Sequence, residues 1–217
     1  MKTNQVSYDD IIEFFKIYTN YLDYVLYVSL TKKGINEKTH IYLMKVFVIL
    51  ISKENISNKK IILNKLKQIQ NKYFNVKYLN LDLQDKLSYE EIVNIYQIQN
   101  SVEEFFYAIS IFKKHNNKYL KQGIIEFHNF LAHLLVAFTG QNRDTNYKKA
   151  INHLYRGTID CYKSIIKNKC DIDCKFQEEI IKIREQEMKN LGVEATSTQA
   201  KYQIVKSYKN IVKKIIM

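Results

Sequence analysis

An all-α fold is the architecture this sequence predicts, and three observations predict it. The 217 residues include no proline and only five glycines, the residues that interrupt helices and shape tight turns. A β-sandwich or α/β protein of this length needs many more of both. Apolar residues recur every three to four positions over long stretches, which is the period of an amphipathic helix. Candidate caps stand where those stretches begin and end. About eight long amphipathic helices follow, arranged as an antiparallel bundle.

The first helix is expected over Tyr8–Ser29. Ser7 can cap it, Asp9 and Asp10 suit the positive end of its dipole, and Ile11, Phe14, Phe15, Tyr18, Leu22, Val25 and Leu26 form one apolar face. Gly34 marks the turn to a second helix, Glu37–Ser52, whose C-terminal half is apolar almost all round and therefore belongs at the centre. Ser57 opens a third helix ending near Tyr73. Asn75–Leu87 reads as a loop, since an isolated strand there would have no partner. Ser88 and Glu91 form a capping box at the head of a fourth helix, which runs to about Lys114. The fifth runs from Lys118 to Thr139 with Gly140 as its C-cap, and a loop of about five residues leads to the sixth, Asn146–Asn168. So short a link predicts an antiparallel hairpin. A seventh helix, Cys174–Leu191, and an eighth, Gln199–Ile216, complete the chain. The composition break near 75–87 separates an N-terminal helical unit, 1–75, from a C-terminal bundle, 88–217; one continuous domain is the alternative.

The formal net charge of +12 points to an anionic partner, either nucleic acid or an acidic protein surface. Of 34 basic residues, however, only Arg143, Arg156 and Arg184 are arginine. The wealth of Lys, Asn, Ile and Tyr is what A+T-rich codons produce, so coding bias accounts for part of the charge. The most apolar run, Ile41–Ile51, is about half a membrane span and contains Lys45. Met1–Asp10 has no apolar signal core. A cytoplasmic protein with reduced thiols and no membrane span is therefore expected. Cys161, Cys170 and Cys174 are odd in number and lack the spacing of a disulfide framework. With His153 they offer only one C-x₃-C pair, short of a zinc set, so no metal and no cofactor are expected.

No Walker loop, G-x-G-x-x-G, G-x-S-x-G or H-E-x-x-H occurs. The region that does carry chemistry is Glu126–Asp160. Glu126, Asn129 and His133 share one face of the fifth helix, and His153, Arg156 and Asp160 repeat the same spacing on the sixth. Two polar stripes on paired helices would meet as a set able to perform acid–base chemistry on a phosphodiester. The fifth helix is apolar over most of its circumference, so its stripe should be partly buried and hydrogen-bonded. The sixth-helix stripe lies nearly opposite its apolar face, which predicts a solvated surface with weak ion pairs; a buried structural network and a functional site are the other two readings.

Asn146–Lys163, NYKKAINHLYRGTIDCYK, following a histidine-bearing apolar helix and a short loop, resembles the paired-helix core of HEPN-like bundles. The likeness covers about residues 88–190. HEPN-like proteins occur in prokaryotic toxin–antitoxin and phage-defence systems, and many are metal-independent ribonucleases. Their signature places Arg one to two helical turns before His. Here Arg143 stands ten positions before His153, and Arg156 follows it. The resemblance thus implies a binding or scaffold member, with a protein partner or a second copy of itself, and the ribonuclease and nucleic-acid-binding readings as alternatives.

Two further features are ambiguous. Tyr18, Tyr21, Tyr24 and Tyr27 would serve either to stack bases or to pack the core. The last helix carries Lys201, Lys206, Lys209, Lys213 and Lys214 opposite Tyr202, Val205, Tyr208, Val212 and Ile215. It is expected to dock by its apolar stripe with its lysines in water, or to present them to a nucleic acid, an acidic partner or a membrane surface.

Overall fold

The computed structural model describes residues 8–30, 37–51, 61–68, 98–140, 142–170, 175–189 and 198–216. All regular structure among them is α-helical: α1 (Tyr8–Leu30), α2 (Glu37–Ile51), α3 (61–68), α4 (Gln99–Asn116), α5 (Lys121–Phe138), α6 (Arg143–Lys169), α7 (Gln177–Lys189) and α8 (Thr198–Ile216). The proposed capping box at Ser88, the loop at 75–87 and the start of the third helix lie outside the described residues.

Local chemistry explains where the helices stop. Asn116 donates its side-chain amide to the Phe112 carbonyl, and Asn117 turns the chain through a left-handed conformation (φ 55°). Asparagine tolerates that region better than most residues. After α5, the amide of Thr139 caps the Leu135 carbonyl, and Gly140 takes φ +86°. The link to α6 is shorter than the sequence suggests. Asn142 is itself left-handed (φ 47°), and Arg143 already begins the helix, with Asp144 in its first turn. Asn142 ends the turn because its carbonyl accepts from the amide of Asn146, which sets the first intrahelical bond.

Helices α4 to α8 alternate in direction. His133 meets Asn146 and Glu126 meets His153, so α5 and α6 are antiparallel. Phe105 faces Gly157 and Asn116 meets Asn168, so α4 and α6 run parallel and in direct contact. Lys201 meets Asn152, and Lys163 lies over the Tyr208 ring, which makes α8 parallel to α6. Helix α7 returns against α8 through the Glu179–Lys214 pair near one end and Glu187–Tyr208 near the other.

As its composition requires, α2 is central, with Leu43, Met44, Val46, Phe47, Val48, Leu50 and Ile51 all buried. Phe47 touches Phe14 and Phe15 of α1 and Phe127 and Phe130 of α5. One hydrophobic cluster contains residues from both sides of the 75–87 stretch. Tyr18 and Tyr21 are inside it, and packing is what they do. The Tyr18 hydroxyl donates to the carbonyl of His128 (2.9 Å) and lies 3.0 Å from its Nδ1.

His128 and His40 meet edge to face at 4.7 Å inside this cluster. Burial lowers the pKa of both to about 4, and each is therefore neutral at pH 7. His40 Nε2 has no hydrogen-bond partner among the described residues. A folded-state pKa below the unfolded value means that the native state binds fewer protons between about pH 4 and 6.5. Stability is then complete above pH 6.5 and falls as the pH drops towards 4, by on the order of 3 kcal/mol per histidine. Thermal melts from pH 7.5 to 4.5 should show this decline, and His40→Leu should roughly halve it, leaving the His128 share, with the neutral-pH melting temperature within a few degrees. A flat wild-type profile would contradict the neutral-histidine assignment.

A carboxylate–imidazole–guanidinium site between two helices

The candidate site is built where α5 crosses α6. Glu126 projects from the most apolar helix of the C-terminal bundle and is only 5% exposed. A carboxylate removed from water needs partners for both oxygens. One comes from its own helix, where the Gln122 side-chain amide, one turn earlier, donates to Oε1 at 3.0 Å. The others come from α6. His153 Nδ1 lies 2.6 Å from Oε2, and Arg156 Nη2 lies 3.2 Å from the same oxygen. Arg156 Nη2 is also 2.9 Å from His153 Nδ1. Since carboxylate oxygens only accept, His153 donates through Nδ1–H, and the arginine–imidazole approach is a contact between two donors oriented on one acceptor.

Close approach of the helices makes this geometry reachable. A Cβ on Gly157 would stand 2.6 Å from Phe105 Cε2 and 3.0 Å from Glu126 Cβ. Glycine at 157 thus lets α6 lie against both α4 and α5 at the level of the carboxylate.

His133 joins the site from two turns further along α5. Its ring stacks on that of His153, with centroids 5.1 Å apart and planes 13° from parallel. His133 Nδ1 lies 2.9 Å from Asn146 Oδ1. The amide nitrogen of Asn146 donates to the Asn142 carbonyl at 3.2 Å, which fixes the amide orientation and makes His133 Nδ1 the donor. Both imidazoles therefore spend Nδ1–H on an oxygen acceptor and, when neutral, carry their lone pair on Nε2.

Four of the six sequence-derived candidates are thus brought together: Glu126, His133, His153 and Arg156. Asp160, one turn beyond Arg156, is half-buried and makes no hydrogen bond to them. Burial raises its carboxyl pKa, with Glu126 and Glu187 acting in the same direction against Lys163 and Arg156. Asn129 has no side-chain hydrogen bond among the described residues. The solvated-face reading of the α6 stripe is corrected in part. Arg156 has 57% of its side chain exposed, but His153 is turned against Glu126 with only 14% exposed. The cause is Gly157, which draws the adjacent stripe under α5. Gln122 and Asn146 were missed by the sequence reading. Gln122 was legible, since it stands four residues before a buried acid; Asn146 was not, because its role depends on the turn at Asn142.

The lysines of α8 correct a second expectation. Lys201 bonds Asn152 Oδ1 at 2.6 Å, Lys209 pairs with Glu104 at 2.5 Å, and Lys214 pairs with Glu179 at 2.7 Å. Lys206 and Lys213 are exposed, as the docked-helix reading has it. The thiols are not all reduced either: Cys170 is disulfide-bonded at the extended end of α6, whereas Cys161 is free and buried, its thiol pKa raised by that burial. Among the described residues no three His, Cys, Asp or Glu side chains gather as a metal site, and no helix is long and apolar enough to cross a membrane.

No family model, no curated protein and no solved structure matches the chain.

Gly157→Ala tests the packing on which the site rests. The added methyl must displace the buried Phe105 ring or part α6 from α5, an overpacking cost of about 1–3 kcal/mol. Urea denaturation should read that loss, and the His133 and His153 ring resonances should shift with it. A variant as stable as the parent would show that the helices have slack at this crossing.

Proposed function

We propose that the chain is a non-catalytic interaction module and that the macromolecule it binds is a nucleic acid, engaged along the solvent face of α6. The observation that carries this reading is a row of exposed residues, Thr145, Lys148, Lys149, Asn152 and Arg156, on successive turns of that helix. No acid lies within the row, and among the described residues neither Lys148 nor Lys149 has an ion-pair partner. Arg156 ends the row. Glu126 holds its guanidinium in place while more than half of the side chain stays in water. A pre-positioned arginine beside exposed lysines suits phosphate recognition, because Arg supplies direction and Lys supplies charge. The closed coordination of Glu126 supports binding over catalysis, since its oxygens are occupied by Gln122, His153 and Arg156. A non-catalytic HEPN-like member of a prokaryotic defence or toxin–antitoxin system accords with this reading.

One observation favours a ribonuclease as the second reading. The two stacked imidazoles both present Nε2 lone pairs beside an arginine, and proton transfer at a phosphodiester uses such groups.

Fluorescence anisotropy with a labelled single-stranded RNA separates these readings. Binding at ~50 mM salt should weaken steeply towards ~200 mM. Joint Lys148→Glu and Lys149→Glu substitution should lower affinity at least about tenfold and reduce the salt slope by roughly one to two units. The RNA should remain intact. Cleavage that His133→Ala, His153→Ala and Arg156→Ala each abolish would establish the ribonuclease instead. No binding at ~50 mM salt, with an acidic protein recovered in its place, would overturn the nucleic-acid reading.

A further inference from the structure

A second site lies on the opposite side of α6, where α4, α6 and α8 run parallel and leave a cavity of about 590 Å³ between them. That volume is within the range of small-molecule sites, roughly 300–1,000 Å³. Its lining is mixed in a way that structural packing does not require. Leu154 and Val205 are buried and apolar. Around them stand three tyrosines: Tyr107 from α4, Tyr155 from α6, and Tyr202 from α8, which is 62% exposed. A tyrosine left this exposed beside a cavity offers a flat surface that no other described residue covers.

The charges are unequal at the two ends of the cavity. At the inner end Glu104 accepts from the Tyr162 hydroxyl and pairs with Lys209, whose ammonium lies 4.4 Å from the centre of the Tyr107 ring. That end is electrically satisfied. At the outer end Lys201 is different. Among the described residues its ammonium bonds only a neutral amide, Asn152 Oδ1, and it lies 6.0 Å from the Tyr155 ring centre. Partial burial lowers its pKa, so the position costs the charged form solvation that no carboxylate among the described residues restores. Ser101 adds an exposed hydroxyl at the rim. Glu103, also on the rim, is exposed and accepts from Gln99.

We infer that this cavity binds a small planar organic anion, with its ring among Tyr107, Tyr155 and Tyr202 and its carboxylate or phosphate on Lys201. The cation that no described carboxylate pairs selects the charge, and the tyrosines select a flat body. This site does not rest on the nucleic-acid reading, because Lys148, Lys149 and Arg156 do not line it.

Calorimetric titration of the full chain with two matched pairs tests the inference and separates the two sources of the anion. One pair is adenosine monophosphate and adenosine; the other is indole-3-acetate and 3-methylindole. In at least one pair the anion should bind about tenfold more tightly than its neutral partner, which is the range of a charge-assisted hydrogen bond. Lys201→Gln should abolish that difference and leave the neutral compound's affinity unchanged. Tyr202→Ala should weaken both members of the pair about tenfold through lost stacking. Both side chains are partly or largely exposed, and a circular dichroism melt confirms that each variant is folded. Advantage in the phosphate pair assigns a nucleotide-like ligand, and advantage in the carboxylate pair assigns an aromatic acid. No binding of any of the four at millimolar concentration, or an anion advantage that survives Lys201→Gln, overturns the inference.

Discussion

The buried carboxylate of Glu126 is the constraint around which the C-terminal bundle is arranged. A charge at 5% exposure between two helices is tolerable only when its oxygens are matched. Gln122 supplies one donor from within α5, but the others must come from α6. This fixes the register of the hairpin, because sliding α6 by one turn would withdraw both His153 and Arg156. With the register fixed, Gly157 must face Glu126, His133 must stack on His153, and Asn146 must reach His133. The short turn at Gly140 and Asn142 has to deliver α6 at that level, and its two left-handed residues do so.

A comparable device ties the last two helices to the hairpin. Glu187 of α7 lies 2.5 Å from Lys163 of α6, 2.7 Å from the Tyr208 hydroxyl of α8 and 2.7 Å from Arg184 on its own helix. Its burial alone would raise its pKa, but the hydrogen bonds from Lys163 and Tyr208 and the adjacent positive charges hold it below the ordinary value. Glu104 plays the same part between α4, α6 and α8. The chain is strongly basic, yet its half-buried acids sit at helix junctions. Glu104, Glu126 and Glu187 each collect several donors, so these acids specify the packing while surplus lysines remain on outward faces. Net charge thus reports the surface, and the interior follows the opposite logic.

Much of the candidate site was legible in the sequence. The spacing Glu126, Asn129, His133 and the spacing His153, Arg156, Asp160 each define one face of a helix, and a five-residue link implies that the two faces can approach. The periodicity could not tell which residues of each stripe would meet. Asn129 and Asp160 have the right spacing but lie beside the contact. The lysines of α8 show the same limit from the other side. Their positions opposite an apolar stripe indicate water, but Lys201 and Lys209 flank the boundary of that stripe, and long side chains there bend back to the nearest acceptor.

What the sequence by itself determined is the all-helical class, the central place of α2, the α5–α6 hairpin and the identity of a polar stripe on an apolar helix. These follow from local rules: helix period, caps, the lack of proline, and the cost of burying an unpaired charge. What only the tertiary structure decided is which of several equivalent polar residues become partners and where a cavity is left. Both depend on the distance and stagger between helices, set here by Gly157 against Phe105 and Glu126 and by the parallel course of α4, α6 and α8. Distances of that kind arise from side chains far apart in the chain, so no window along the sequence contains them.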